Sequence, residues 1–114
     1  MPVIAVESNV TLTDSQRTAL MAKLSEGSAR WLHKPERYIM IIVKDGIPMQ
    51  FAGSPDPCAY IECKSVGLPR DETVRLSRSL CDTLNAQTGI PKDRIYIEFT
   101  DAEGAMWGWN SDTF

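Results

Sequence analysis

The sequence predicts a mixed α/β (α+β) fold built from two pseudo-repeated β-α-β units, which share one four-stranded sheet with both helices on one face. Three observations carry this. Short apolar or β-branched runs alternate with stretches of helical periodicity, in the order strand, helix, strand, and then again. The second half restates the first: Arg37 and Arg94 lie 57 positions apart (94 − 37), and so do Asp14 and Asp71 (71 − 14), in a chain of 114. Both late strands follow a cluster of lysine, proline and acidic residues, Lys34-Pro35-Glu36 in one half and Pro91-Lys92-Asp93 in the other.

Val3 to Glu7 is a short apolar strand. Thr13 opens a helix, with Gln16 spaced to complete a capping box. Leu20, Leu24 and Trp31 recur at helical spacing, with Met21 and Ala22 beside them. Gly27 weakens the helix centre and marks an expected close approach of another element. Lys34-Pro35 ends the segment, and His33, the one histidine, sits at the helix end, where a polar or positive group suits the dipole. Tyr38 to Val43 is β-branched and aromatic, hence a strand. Asp45-Gly46 is a turn, and Met49 to Phe51 is a short strand.

In the second half, Cys58 to Val66 is a strand and Gly67-Leu68-Pro69 a loop. Asp71 opens a helix whose stripe is Val74, Leu80, Cys81 and Leu84. Gly89 fits a left-handed helix stop, with Pro91 just beyond. Arg94 to Phe99 is the last long strand. Crossover connections make the strands parallel within each half. The run Ile39 to Val43 is apolar on both parities, so both of its sides need cover. With no further helix to supply it, other copies of the chain must, and a closed dimer is the usual assembly.

Composition bounds the function. The 114 residues make one domain, 43% hydrophobic and 24% charged. A net charge of −3 argues against nucleic acid, whose phosphates need a basic face. No apolar run reaches the ~20 residues of a membrane span. No basic segment leads into an apolar one at the start, so the expected location is the cytoplasm, or outside the cell by a route that needs no signal peptide. The three cysteines, Cys58, Cys63 and Cys81, form no Cys-x-x-Cys pair, which speaks against a disulfide framework and a zinc site. In one strand Cys58 and Cys63 would face opposite sides.

Pro2 is the most informative residue. Removal of Met1 would leave a free secondary amine, a group no ordinary side chain offers. An α-amino group titrates near ~8, and burial beside positive charge disfavours its charged form. A neutral amine near the working pH is a fit general base.

Several motifs then fall in order: Met1-Pro2, Lys34-Pro35 before Tyr38, Phe51-Ala52-Gly53-Ser54 with Pro57-Cys58-Ala59, Ser65-Val66-Gly67, Asp93-Arg94-Ile95-Tyr96-Ile97, and Gly108-Trp109-Asn110 with Thr113-Phe114. Together they resemble the macrophage migration inhibitory factor family of the tautomerase superfamily, over the whole length. The resemblance implies a homotrimer with a central barrel of sheets, replacing the dimer. It implies cofactor-free, metal-free keto–enol tautomerisation of aryl α-keto acids such as phenylpyruvate and hydroxyphenylpyruvate, with D-dopachrome as a model substrate, at sites between neighbouring subunits. It also allows a different class, a signalling protein that binds a cell-surface receptor and whose enzyme activity is vestigial.

By the same resemblance Pro2 is the general base and then the acid, and Lys34 pairs with the substrate carboxylate or enolate oxygen. The Lys34 ammonium would also hold the proline amine neutral and stabilise the oxyanion. On its own, a lysine there complements the helix dipole. Val66 supplies a backbone N–H to the substrate. Tyr96 reaches in from the adjacent subunit, and Tyr38, Trp109 and Phe114 form an aromatic rim.

Three positions depart from the family pattern. Ile61 stands where some members carry a second cysteine after Cys58, so the thiol oxidoreductase activity proposed for them is not expected here. Glu98 stands where a neutral amide is frequent; facing the pocket, it would favour the protonated amine, repel an anionic acid and weaken turnover. Trp107 replaces a smaller residue and would narrow the pocket mouth.

Overall fold

A computed structural model describes all residues, 1–114. The strands are β1 (Val3–Ser8), β2 (Met40–Lys44), β3 (Ala59–Val66) and β4 (Ile95–Ala102), with helices α1 (Asp14–Leu32) and α2 (Thr73–Thr88) between the members of each pair. They form one sheet in the order β2-β1-β3-β4. β1 pairs with β2 and β3 with β4 in parallel, as crossover units require, and the two halves meet antiparallel along β1 and β3.

Local sequence explains the helix ends. Gln16 N–H donates to Thr13 Oγ1 at 3.1 Å and Thr13 N–H donates to Gln16 Oε1 at 2.9 Å, closing the capping box. His33 ends α1 in the left-handed region (φ 54°), and Gly89 ends α2 there at φ 77°. α2 begins two residues later than the sequence predicts, because Arg70–Glu72 forms a 3-10 turn that carries Asp71.

The core lies between the helices and one face of the sheet. Leu20 and Leu24 of α1 and Leu76, Leu80 and Leu84 of α2 pack with Ile4, Val6, Ile61 and Cys63, so both helices cover the same face. Truncating a fully buried leucine such as Leu24 to alanine costs about 2–5 kcal/mol. The predicted α2 stripe needs two corrections: Val74 is 71% exposed and Leu76 takes its place in the core, while Cys81 is only half-buried. Gly27 is approached by its own helix: a Cβ there would collide with the ring of Trp31.

The strands are also trimmed. Tyr38 falls in a 3-10 turn (Glu36–Tyr38), so β2 starts at Met40. Met49 to Phe51 forms no strand; Phe51 makes only an isolated bridge to Ser54. Cys58 precedes β3, so strand parity does not govern it, and Cys58 and Cys63 are both buried rather than split between faces.

The uncovered face carries Met40 and Ile42, exposed as their two-sided apolar run predicts. The same face of β3 and β4 is polar, with Glu62 paired beside Glu98 and Lys64 beside Thr100. The C-terminus adds a feature absent from the sequence reading: a hairpin of β5 (Gly108–Trp109) and β6 (Asp112–Thr113), turned by Asn110 and Ser111 at φ 52° and 63°.

Candidate active site

Parallel pairing of β1 with β2 brings the start of the chain against the segment after α1. Met40 N–H donates to the Pro2 carbonyl at 3.0 Å, and the Met1 amine donates to the Tyr38 carbonyl at 2.9 Å. Pro2 is fully buried. It floors a cleft of about 230 Å³ whose walls include Arg37, Tyr38, Met40, Trp107, Trp109 and Phe114. Four of the residues singled out from sequence thus share this cleft with Pro2: Tyr38, Trp107, Trp109 and Phe114.

The aromatic wall is built by the C-terminal hairpin. Trp109 stacks on Phe114 with ring centroids 5.7 Å apart and planes 16° from parallel. Tyr38 meets both edge-on, at 5.5 and 5.9 Å. Phe114 N–H donates to the carbonyls of Gly104 and Trp107, at 3.2 and 3.3 Å. Gly104 must be glycine for this closure, since a Cβ there would strike the Phe114 carbonyl. The Arg37 guanidinium lies 4.8 Å above the Tyr38 ring. Arg37 was missed as a site residue; its only sequence signal is the repeat relation to Arg94.

The electrostatics favour a neutral amine. The Met1 amine, which precedes Pro2 in the structure, is held below its ordinary value of 8.0, first by burial and second by the positive charge of Lys34. Lys34 itself takes part in none of the chain's ion pairs, so its ammonium is free for an anion. Its side chain does not form part of the cleft wall. Val66 ends β3; the β1–β3 register closes at Val3 with Lys64, and continuing it sets Val66 level with Met1.

Tyr96 and Glu98 are not in this cleft. Both lie on the uncovered face of the edge strand β4, where Tyr96 is 65% exposed. Tyr96 pairs with Tyr60, which pairs with Glu7, at the end of β1 away from Pro2. Glu98 accepts a hydrogen bond of 2.7 Å from the Tyr60 hydroxyl, which is pushed up to about 12, chiefly by that bond. A larger groove, about 790 Å³, runs between α2 and β4, but it is open, none of the candidate site residues lines it, and Lys92 and Asp82 there neutralise one another at 2.6 Å.

The sequence profile described as macrophage migration inhibitory factor (MIF) matches residues 1–114. The chain belongs to the MIF family. The macrophage migration inhibitory factor of Xenopus laevis is 39% identical over 116 residues, covering 100% of this chain and 99% of the relative. The homolog from Brugia malayi is 37% identical over 119 residues, with 100% and 99% covered. Among solved structures, the MIF homologue from Prochlorococcus marinus superposes with a TM-score of 0.92 at 38% identity, covering 98% of each chain. The Toxoplasma gondii protein gives 0.92 at 30% identity, covering 98% of this chain and 99% of that one.

MIF-family membership fixes the fold class, a four-stranded sheet with two helices, and places the chain in the tautomerase superfamily. Cys58, Cys63 and Cys81 are all free thiols. Ile61 is fully buried in the core. Burial pushes the Cys63 thiol up to about 12, the opposite of an activated thiolate. No three metal-ligating side chains converge anywhere in the chain. No helix is long and apolar enough to cross a membrane.

Proposed function

We propose that the chain is a cofactor-free keto–enol tautomerase of aryl α-keto acids, phenylpyruvate and hydroxyphenylpyruvate among them, working as a homotrimer. The observation that carries this is the burial of Pro2 in a cleft walled by aromatic rings; the Met1 amine next to it is lowered by burial and by the charge of Lys34.

With Met1 removed, the Pro2 nitrogen is a secondary amine with a free lone pair. It takes a proton from the carbon next to the keto group; the electron pair of that C–H bond forms the C=C bond, and the π pair of the C=O bond moves onto the carbonyl oxygen. The resulting ammonium returns the proton to that oxygen, giving the enol; the reverse order gives the ketone. Proton count and charge are restored at the end, so no co-reactant is needed. Lys34 pairs with the carboxylate or the developing oxyanion. Val66 offers its backbone N–H. Tyr38, Trp109 and Phe114 exclude water and pack the aryl group, with Trp107 at the mouth. Tyr96 and Glu98 enter from a neighbouring copy, because within one chain both lie on the edge strand β4, with β3 between it and β1, and neither lines the cleft.

Pro2→Gly tests the reading, on protein whose intact mass shows Met1 absent. Replacing the ring-held secondary amine with a primary amine on a flexible residue is expected to cut phenylpyruvate enolisation by roughly 10²-fold or more, with the assembly unchanged. An undiminished rate would overturn it. The same variant keeps any receptor-binding surface, so it also separates enzyme from signalling protein.

A further inference from the structure

The segment between β2 and β3 contains no helix and no strand, yet two distant side chains pin its backbone. Arg94 Nε donates to the Pro57 carbonyl at 3.0 Å. Its Nη2 faces the carbonyls of Phe51, Ser54 and Asp56 at 3.1–3.2 Å. Asn9 Nδ2 donates to the Pro55 and Asp56 carbonyls at 3.0 and 3.1 Å, and Asn9 Oδ1 accepts from Cys58 N–H at 2.9 Å. Inside this frame a tight turn is closed by reciprocal Phe51–Ser54 bonds of 3.0 Å, and Ala52 is held at φ 53°. A non-glycine residue in that region persists only where the surroundings impose it.

One side chain gains a fixed place from this frame. The Phe51 ring lies under the Arg94 guanidinium, 5.2 Å from centroid to Cζ. The same ring meets the Tyr96 ring edge-on, with centroids 4.7 Å apart and planes at 66°. Tyr96 is otherwise exposed on an edge strand, where its ring would be free to change rotamer. An apolar cleft of about 450 Å³, with Met49, Phe51, Tyr60 and Tyr96 in its wall, opens beside the pair.

We propose that Phe51, clamped by Arg94, is a positioning residue that sets the Tyr96 ring for the aryl end of the substrate and so selects aryl over short alkyl α-keto acids. This rests on the tautomerase reading above and adds to it a determinant of specificity. Phe51 acts through Tyr96, away from the reacting atoms, so its effect belongs in KM for substrates long enough to reach Tyr96.

The test compares steady-state enolisation of phenylpyruvate and of 2-oxobutanoate by wild type, Phe51→Leu, Phe51→Met and Phe51→Tyr. Leucine and methionine remove the ring pair but keep apolar bulk, and whichever melts like wild type serves. The expected result is a threefold to tenfold rise in phenylpyruvate KM, about the worth of one edge-on aromatic pair. kcat should stay within about twofold and the alkyl acid should be unaffected; Phe51→Tyr, which keeps the ring, should behave as wild type. If both substrates change alike, if nothing changes, or if tyrosine fails to restore KM, the inference is overturned while the tautomerase stands. A wild type inactive on both acids removes the tautomerase reading, and this inference with it.

Discussion

Pro2 and Tyr96 stand at opposite ends of one sheet: Pro2 precedes β1, whereas Tyr96 pairs through Tyr60 to Glu7, near the end of that strand. A substrate bound at Pro2 can therefore meet Tyr96 only from another copy of the chain. Exposed Met40 and Ile42 on the uncovered face give a second copy apolar surface to cover. Subunit mixing checks this. Pro2→Gly and Tyr96→Ala are each expected to be poorly active alone. Refolded together at equal concentration, they should regain about a quarter of wild-type activity, since that share of inter-subunit sites joins an intact Pro2 to an intact Tyr96. No recovery would place both residues' roles within one chain.

Glu98 is the one acidic residue among those proposed for the site. Its carboxylate, beside Glu62 and held by the Tyr60 hydroxyl, adds negative charge to the face that a neighbouring copy would present. Negative charge near the amine favours its protonated, inactive form and opposes an anionic substrate. Glu98→Asn keeps a hydrogen-bond acceptor for Tyr60 and removes the charge. It is expected to raise kcat/KM for phenylpyruvate at neutral pH by roughly two- to tenfold, with the gain shrinking at high salt. An unchanged or lower value would place Glu98 outside the site.

The start of α1 and the exit of β2 are tied by one carboxylate. Asp45 accepts from Arg17 Nε and Nη2, both at 3.0 Å, and from Leu12 N–H at 2.8 Å. These bonds, that from Arg17 foremost, hold the Asp45 carboxyl at about 2, below its ordinary 3.8. A depressed folded-state pKa contributes stability at pH above the ordinary value, and that stability is lost as pH falls through the folded one. Asp45→Asn should lower Tm at pH 7 by about 5 °C, and the gap from wild type should close between about pH 4 and pH 2. A gap that persists at pH 2 would show that packing, not charge, is what the aspartate supplies.

Much of the fold was legible because local rules and tertiary packing agree in this chain. The Thr13–Gln16 box, the Gly89 stop and the leucines of α1 mean the same thing in a peptide and in the folded domain. Val74 misled because apolar character on a helix does not reveal which face is covered; Leu76, two residues on, is the one that points inward. The C-terminal hairpin was illegible, since Asn110-Ser111 lacks the glycine that marks such turns, although both residues adopt positive φ. In the site, Pro2 and its aromatic neighbours could be named from sequence. Arg37 could not, because its place over Tyr38 depends on a 3-10 turn that reads as the start of a strand.

The protonation state of the first nitrogen decides the mechanism. It is measured most directly by NMR titration of selectively ¹⁵N-labelled Pro2, in protein whose mass shows Met1 removed. The Met1 amine, one residue before Pro2, is lowered by burial and by the charge of Lys34, and the same surroundings are expected to act on the Pro2 amine once Met1 is gone. A midpoint at least about one unit below the ~8 of a free α-amino group is expected. A midpoint at ~8, as for an unfolded peptide, would contradict a neutral proline base at physiological pH.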